Sequence, residues 1–522
     1  MVAETDALKP TKLQRVVHAV ASGYVSLIAT ALFSFVAVPL ALHYLDKERF
    51  GLWALMGAIA GYLALIDLGM SASVARLLID FKDRRDDGPY GSLIQTGSLV
   101  LSIQAIIVWV AGFAIAPVLS DLLLIPPDLE TEFIGLLRWQ CFTLAITFAT
   151  RIFSHILQAH QRFDVVNYAQ IVGATLNLGL QWLFFWMGEG VFSLAWAGLA
   201  STGLSVLLCG IACSKMHFFP MGAGWGKPSR DLFNQLFSYG KDLFLVSVGA
   251  QLILASQALI VTRTMGLSVT AVWNVGSRTF NLVCQGICRI ADFSGPAFAE
   301  MIVRGENVRL RERYQAMVTL TASLSGVAAV IFVLCNTQFI TVLTHEFYWY
   351  PLHSVLLGVW LIALSVQRCH GLFVMTTKDV GGLRYIYFVE GCVFVLLALF
   401  ASGRGGLTVM ITYSIICTLC FSLIYGVHRI SRYFGCSARE VGFGWLAPLG
   451  KVMLLFVPPA AVFWWFTNHL DSVLLQLVLN GLFGGSLGAF LFLRFGLPAR
   501  LQAEFLHRSP KTISPILKRV FA

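Results

Sequence analysis

Charged side chains are scarce in this sequence, and their scarcity excludes a soluble globular protein. Asp, Glu, Lys and Arg make up 12% of the 522 residues, hydrophobic residues make up 57%, and the mean hydropathy is +0.76. Soluble domains carry about 25% charged residues. We therefore expect an integral membrane protein with helical spans, because an open sheet would leave unsatisfied backbone groups in lipid.

Long polar segments and phosphate-binding loops are also lacking. No segment between the apolar runs is large enough for a soluble domain, and no Walker-type sequence occurs, which excludes ATP hydrolysis by that route. The largest expected extracytoplasmic loop, "SDLLLIPPDLET", has about a dozen residues. It is short for a membrane-embedded glycosyltransferase that would carry catalytic groups there. This observation disfavours an enzyme.

Cysteine is present but poorly placed for redox or metal chemistry. Ten of the eleven Cys residues fall within predicted spans, and Cys436 lies in a predicted cytoplasmic loop. None is placed to meet an extracytoplasmic partner, so we expect neither disulfides nor a metal site.

Apolar runs long enough to cross a bilayer recur from residue 16 to residue 493. We count fourteen and predict an all-α polytopic protein with two six-helix lobes and two further C-terminal helices. Trp53 aligns with Trp273 at an offset of 220 residues, as in proteins built from repeats. The predicted parts are an N-terminal lobe at 1–213, a cytoplasmic linker at 214–233, a C-terminal lobe at 234–427, two helices at 428–493 and a basic cytoplasmic tail at 494–522.

The basic residues are distributed very unevenly between alternate loops. One side of the membrane receives 25 Lys and Arg residues and the other receives four. Basic loops stay in the cytoplasm, so this split predicts an even number of spans with both termini cytoplasmic. The topology also accounts for the net charge of +10, and we expect no nucleic-acid partner.

The other eight basic residues fall inside predicted spans or at their ends. A basic side chain at the bilayer centre costs on the order of 3 kcal/mol or more, so such residues usually face a protein-lined aqueous space. Arg76 and Lys451 have an alternative, because long side chains near span ends can reach the headgroups. The eight are Arg76, Arg138, Arg151, Lys241, Arg278, Arg289, Arg368 and Lys451.

The stretch "WNVGSRTFNLVCQGICRIADF" at 273–293 concentrates polar residues on one face of a helix. At about 100° per residue, six of them fall within an arc of roughly 80°. A structural alternative is that Arg289 and Asp292, three residues apart, neutralise each other. Arg278 lies near the middle of the predicted span and has no acid one turn away. The six residues are Asn274, Arg278, Asn281, Gln285, Arg289 and Asp292.

Arg dominates these membrane cations, and Arg binds planar oxyanions through two parallel hydrogen bonds. We therefore predict an anion cavity open to the cytoplasmic leaflet that suits a phosphate or pyrophosphate group. The predicted lining residues are Arg278, Arg289, Arg151, Arg368, Lys241, Asn274, Asn281, Gln285 and Arg76.

Acidic residues inside spans are candidates for coupling transport to a H⁺ or Na⁺ gradient. Asp67, in "GYLALIDLGMSA", has the alternative role of a local helix cap or ion-pair partner. No other cofactor is expected. The candidates are Asp67, Asp242, Asp292 and Glu390.

The segment "RFGLWALMGAIAGYLALIDLGMSASVAR" at 49–76 resembles a known family. Its Phe-Gly-Leu-Trp element at 50–53 and Asp-Leu-Gly element at 67–69 are similar to the N-terminal signature of polysaccharide biosynthesis proteins, the Wzx-type O-antigen flippases. The resemblance implies membership of the multidrug/oligosaccharidyl-lipid/polysaccharide (MOP) flippase superfamily, with two six-helix lobes around a central cavity. It implies alternating access and a location in the bacterial inner membrane.

The implied substrate is an undecaprenyl-pyrophosphate-linked oligosaccharide, a repeat unit of O-antigen, capsule or exopolysaccharide, which is moved from the cytoplasmic to the periplasmic leaflet. Further implied partners are membrane lipids, a polysaccharide polymerase and the chain-length machinery. Two alternatives within the superfamily are a flippase for lipid II and a cation-coupled drug exporter. An alternative of another class is a membrane-embedded glycosyltransferase or polymerase, for which Asp121 and His345–Glu346 are the only catalytic candidates.

Overall fold

The computed structural model describes residues 12–81, 88–344, 348–377, 379, 381–498, 502 and 521. Within these ranges the secondary structure is helical and no strand occurs. The predicted all-α polytopic class is therefore confirmed.

The chain divides into two compact units, Met1–Ser247 and Val248–Ala522. The division falls inside the helix that follows the predicted linker, and the lobe limits at 213 and 234 stay predictions. The N-terminal unit contains α1 (Lys12–Tyr44), α2 (Lys47–Leu63), α3 (Met70–Phe81), α4 (Pro89–Leu123), α5 (Pro127–Ala159), α6 (Phe163–Trp186), α7 (Phe192–Lys215) and most of α8 (Arg230–Leu254).

The C-terminal unit begins with the end of α8. A π-helical segment, Leu419–Leu423, joins α13 to α14, and two more π-helical segments occupy Glu440–Gly444 and Phe492–Gly496. The helices are α9 (Ser256–Met265), α10 (Leu267–Val303), α11 (Asn307–Thr344), α12 (Pro351–Thr376), α13 (Leu383–Thr418), α14 (Ile424–Phe434), α15 (Ala447–Thr467) and α16 (Val473–Leu491).

Among the described residues, eleven helices are long and apolar enough to cross a membrane. Two predicted spans, in α6 and α10, do not meet that criterion, and the polar residues of α10 lower its hydropathy. Two others lie in the single element Leu383–Phe434, which is interrupted by non-helical backbone at Gly406 (φ 61°, ψ −156°). The total of fourteen spans stays a prediction.

The second predicted span is broken at the Asp-Leu-Gly element. A short 3₁₀ turn, Ala64–Asp67, follows α2, and the left-handed backbone of Leu68 (φ 49°) and Gly69 (φ 73°) then redirects the chain into α3. A methyl group on Gly69 would lie 2.6 Å from the carbonyl oxygen of Gly240, so this position has no room for a side chain. The break places Asp67 directly before the first turn of α3.

The predicted linker packs onto the start of α4. Tyr90 donates its hydroxyl to the Phe218 carbonyl (3.2 Å), and the amide of Lys227 donates to Ser92 Oγ (3.1 Å). A methyl group on Gly91 would lie 2.2 Å from the carbonyl oxygen of Gly224. The connection between α7 and α8 is thus an ordered part of the N-terminal unit.

In the C-terminal unit, α15 and α16 pack closely against α11. Asn480 on α16 donates its side-chain amide to the Leu334 carbonyl (3.1 Å), and Thr319 on α11 donates its hydroxyl to the Trp445 carbonyl (2.9 Å). A methyl group on Gly488 would lie 2.8 Å from the Val327 side chain. The last two helices are therefore an integral layer of this unit.

Candidate functional site

The polar face predicted for 273–293 lies on one uninterrupted helix, α10. None of its six residues is buried: Asn281, Gln285 and Asp292 are exposed, and the other three are partly exposed. Apolar residues on other faces are buried, including Phe280 and Ile287. The segregation of polar and apolar residues follows the period of the helix.

Aromatic packing fixes the orientation of α10 within the C-terminal unit. Phe280 stacks on Trp360 of α12 with ring centroids 5.3 Å apart, and a methyl group on Gly276 would lie 2.0 Å from the Trp349 ring. Asn336 of α11 donates its side-chain amide to the Gly276 carbonyl (3.2 Å). These contacts flank Arg278 in sequence and hold its backbone in a rigid setting.

Arg278 is partly exposed and carries an unpaired charge. In the part of the chain that the structure describes, no hydrogen bond, ion pair or aromatic ring contact joins its guanidinium to another residue. An Arg side chain offers five N–H donors. Arg278 therefore offers a complete set of donors to a ligand.

Asp292, at the other end of the polar face, is paired with a residue from another helix. Arg368 of α12 donates to Asp292 Oδ1 from Nη2 (2.8 Å) and from Nε (3.2 Å). The sequence suggested that Asp292 neutralises Arg289. It did not reveal Arg368 as a partner, because that residue is 76 positions away in sequence. Arg289 is not free either, since it has an interaction of its own.

Arg151 and Asp67 meet in the N-terminal unit. Asp67 accepts a hydrogen bond from the backbone amide of Ser71 (3.2 Å) and a short one from the Ser71 hydroxyl, so it caps the first turn of α3. Arg151 Nη1 lies 3.7 Å from Asp67 Oδ1 and donates to Ser71 Oγ (3.1 Å). Asp67 thus makes both contacts of its structural alternative, the helix cap and the ion pair, while its role in coupling stays a prediction.

The other predicted basic residues of the N-terminal unit form no bond with that pair among the described contacts. Arg76 forms a loose ion pair with Asp80 on the same helix (3.9 Å), with both side chains about half exposed. Lys241 is exposed and forms no ion pair with the described residues. The side chain of Asp242 is not among those that the structure describes.

Glu390 of α13 is almost completely buried in the C-terminal unit, with 1% of its surface exposed. The hydroxyl-bearing residues Thr418 and Ser422, which flank and occupy the π-helical segment Leu419–Leu423, are its polar neighbours. Its Oε2 atom has no hydrogen-bond partner among the described residues. Among the candidate coupling acids whose side chains the structure describes, Glu390 is the one without a basic partner.

Sequence reasoning missed a hydroxyl-rich cavity in the N-terminal unit. It lies among α1, α5, α6 and α7, has a volume of about 440 Å³ and includes Arg151 in its lining. Polar residues recur on its walls at spacings of three and four, as at Thr147, Thr150 and Ser154 of α5. That spacing can be seen in the sequence, but each helix alone carries too few charged residues to indicate a site.

Solved structures similar to this chain are MOP superfamily transporters. An inward-facing multidrug resistance MATE family transporter aligns with a TM-score of 0.68 at 15% identity, over 78% of this chain and 96% of its own. The lipid II flippase MurJ, in an inward closed conformation, gives 0.63 at 11% identity over 90% and 99%. A MOP superfamily transporter from Pyrococcus furiosus gives 0.60 at 14% over 81% and 97%. These likenesses establish a MOP-type fold.

No curated protein matches the sequence. The sequence profile described as "polysaccharide biosynthesis protein" matches residues 16–302, which is more than half of the chain. The match includes the Phe-Gly-Leu-Trp and Asp-Leu-Gly elements, the broken second span, Arg151 and the whole polar face of α10. The chain therefore belongs to the polysaccharide biosynthesis protein family.

Proposed function

We propose that this protein is a flippase that moves an undecaprenyl-pyrophosphate-linked oligosaccharide from the cytoplasmic to the periplasmic leaflet by alternating access. The substrate is a repeat unit of O-antigen, capsule or exopolysaccharide. The protein acts as a transporter and not as an enzyme. It works in the bacterial inner membrane with both termini in the cytoplasm, alongside a polysaccharide polymerase and the chain-length machinery.

The observation that carries the proposal is the unpaired guanidinium of Arg278 on the polar face of α10. Leaving a cation unpaired inside a membrane protein costs several kcal/mol, unless it faces water or a counter-charge. A diphosphate crossing the bilayer has the opposite requirement, since it must replace the water that it loses. Arg278 can supply two parallel hydrogen bonds to phosphate oxygens while keeping its charge.

Membership of the polysaccharide biosynthesis family and the shared fold with a lipid II flippase support a lipid-linked substrate. The cation-coupled drug exporter is disfavoured, because an unpaired Arg on the polar face repels a cationic drug. A flippase for lipid II would share the basic face, so substrate competition must separate it from the proposed activity.

The membrane-embedded glycosyltransferase is the alternative of another class. Asp121 is exposed near the end of α4, while His345 and Glu346 lie outside the described residues. No observation brings these candidates together as a catalytic pair. Glycan transfer by the purified protein would be needed to support this alternative.

We expect Arg278→Ala to abolish transport, because it removes the unpaired guanidinium from the polar face of α10. The protein would be reconstituted in liposomes with a fluorescent undecaprenyl-pyrophosphate oligosaccharide, and outer-leaflet label would be measured by a membrane-impermeant quencher. Arg278→Lys, which keeps the charge but loses the planar fork, should retain a small fraction of the activity.

Arg138→Ala is the matched control, since Arg138 is another membrane-embedded Arg but lies over the Phe113 ring in the N-terminal unit (5.0 Å). It should transport at close to the wild-type rate. Wild-type transport by a correctly inserted Arg278→Ala protein would refute the assignment. Faster transport of lipid II than of the oligosaccharide lipid would instead favour the lipid II alternative.

A further inference from the structure

The cavity of the N-terminal unit has the chemistry of a carbohydrate site. Its volume of about 440 Å³ falls in the range of small-molecule sites, roughly 300–1,000 Å³. Ten of its sixteen lining residues carry a hydroxyl, an amide or a guanidinium, and Phe33 adds one aromatic ring. Hydroxyl and amide groups both donate and accept hydrogen bonds, as a sugar requires.

The hydroxyls are held in place by the backbone. Ser201 donates to the Gly173 carbonyl (2.8 Å) and Ser205 donates to the Ala169 carbonyl (3.2 Å), which fixes both oxygens between α6 and α7 as acceptors. Asn177 Oδ1 accepts from Gln181 (2.5 Å), while its amide nitrogen donates to no described residue. The walls are therefore pre-organised and still offer both donors and acceptors.

Arg151 contributes the one charge in the described lining of this cavity. One of its N–H groups is used by Ser71 (3.1 Å), and the 3.7 Å approach of Asp67 is too long for a hydrogen bond. No other described residue accepts from the guanidinium. A planar fork of N–H donors suits a carboxylate, and one Arg that Asp67 already partly neutralises suits a single negative charge better than a pyrophosphate.

We infer that this cavity binds an acidic sugar of the uronic-acid class, with its carboxylate on Arg151 and its hydroxyls on the polar walls. The inference rests on the proposed flippase function and narrows its substrate to glycans that contain such a residue. The same observations exclude a metal cation as the ligand, because Arg151 would repel it and no described acid lines the cavity.

The test is direct binding to the purified full-length protein in detergent, measured by saturation-transfer NMR with three probes: glucuronate, glucose and acetate. For a ligand of about 13 non-hydrogen atoms, ordinary ligand efficiency predicts a Kd of about 1 mM for glucuronate. Glucose lacks the carboxylate and acetate lacks the sugar hydroxyls, so each should bind at least tenfold more weakly.

Two variants separate binding from folding. Arg151→Gln should weaken glucuronate binding by at least about tenfold, since a charged hydrogen-bonded pair is lost. Thr202→Val keeps the side-chain shape, leaves the contact between Arg151 and Asp67 intact and should weaken binding about threefold. Arg138→Gln is the matched control and should bind as the wild type does.

Equal binding of glucose and glucuronate would overturn the inference, as would equal binding of acetate, an unchanged affinity in Arg151→Gln, or the absence of glucuronate binding at concentrations well above 1 mM. This assay involves no transport. Loss of the transport activity with retained glucuronate binding would refute the flippase and not the cavity, whereas the reverse result would refute the cavity alone.

Discussion

Pairing distinguishes the predicted basic residues from one another more sharply than depth does. Arg151 and Arg368 each contact an acid, Asp67 and Asp292 respectively, whereas Arg278 contacts none among the described residues. An Arg that is already paired must break that contact before it binds a phosphate fully. At the scale of single residues, Arg278 is therefore the group best prepared for an anion.

The candidate acids with described side chains divide in the same way, because Asp67 and Asp292 have an Arg partner and Glu390 has none. Protonating Asp67 or Asp292 would leave an Arg without its partner, whereas Glu390 sits among hydroxyls and can take up a proton without breaking an ion pair. The other titratable groups that act on it are Tyr387, one turn earlier on α13, and Cys417. We propose that a H⁺ gradient drives transport through Glu390.

We expect Glu390→Gln to keep downhill flipping but to lose its acceleration by an imposed pH gradient. The amide keeps the size and polarity of the carboxyl group but cannot be protonated. The measurement is the liposome transport rate with and without the gradient. Glu440→Gln, which removes a partly exposed acid paired with Arg311, should respond as the wild type does.

A gradient response that survives in Glu390→Gln would contradict coupling at this residue. Acceleration of the wild type by a Na⁺ gradient and not by a pH gradient would replace the proton with sodium as the coupling ion.

The sequence predicted residues on one helix better than it predicted their partners. The polar face of α10 follows from spacing alone, because residues three and four apart share a side of a helix. The pairing of Asp292 with Arg368 depends on how α10 packs against α12, and no local pattern contains that information. The two roles of Asp67 could not be separated for a similar reason, since the cap exists only because the helix breaks at Leu68 and Gly69.

At the scale of helices, the break between α2 and α3 is the feature that positions a charged group. Discontinuous helices of this kind are common near the binding sites of transporters, where their ends present backbone groups. Here the Asp67 carbonyl accepts from Gln104 of α4 (3.0 Å), so the freed backbone is satisfied inside the protein. The same break brings Ser71 and Asp67 to Arg151.

Gly69→Ala should destabilise the protein, because the left-handed backbone is strained for alanine and the new methyl group would meet the Gly240 carbonyl at 2.6 Å. We expect a loss of about 1–3 kcal/mol, seen as a lower Tm in detergent. Gly57→Ala is the matched control on α2, with nothing within 4 Å of the added methyl group. It should leave the Tm unchanged or raise it.

An unchanged Tm in Gly69→Ala would mean that the chain adopts a continuous second span. In that case Asp67 would no longer cap α3, and its contact with Arg151 would have to be explained by another geometry.

Hydropathy predicted where the helices lie, but it did not predict where they are irregular. The π-helical segment next to Glu390, and the kink at Gly406 within one long element, leave no clear mark in an apolar run. The hydroxyl-rich cavity was missed because its walls come from four helices, and each contributes only one to four polar side chains. Such sites depend on tertiary packing and are invisible to a helix-by-helix analysis.

At the scale of the whole molecule, each unit has its own polar surface. The N-terminal unit encloses the cavity that contains Arg151, and the C-terminal unit presents the α10 face that contains Arg278. An amphiphile with a glycan, a diphosphate and an apolar tail needs separate surfaces for its chemically different parts. Hydroxyl-rich walls suit the glycan, and an unpaired guanidinium suits the diphosphate.

The direction of transport depends on the orientation of the chain in the membrane, which its basic residues predict. With 25 loop cations on one side and four on the other, an even number of spans places both termini in the cytoplasm. Alkaline phosphatase fused after Ala522 should therefore be inactive, and green fluorescent protein fused there should fluoresce. Phosphatase fused after Leu470, in the short connection between α15 and α16, should be active, because that connection is expected on the periplasmic side.

The reverse pattern would place the basic loops outside the cell and contradict the proposed direction. Active phosphatase at both positions would mean that α16 does not cross the membrane and that the number of spans is odd.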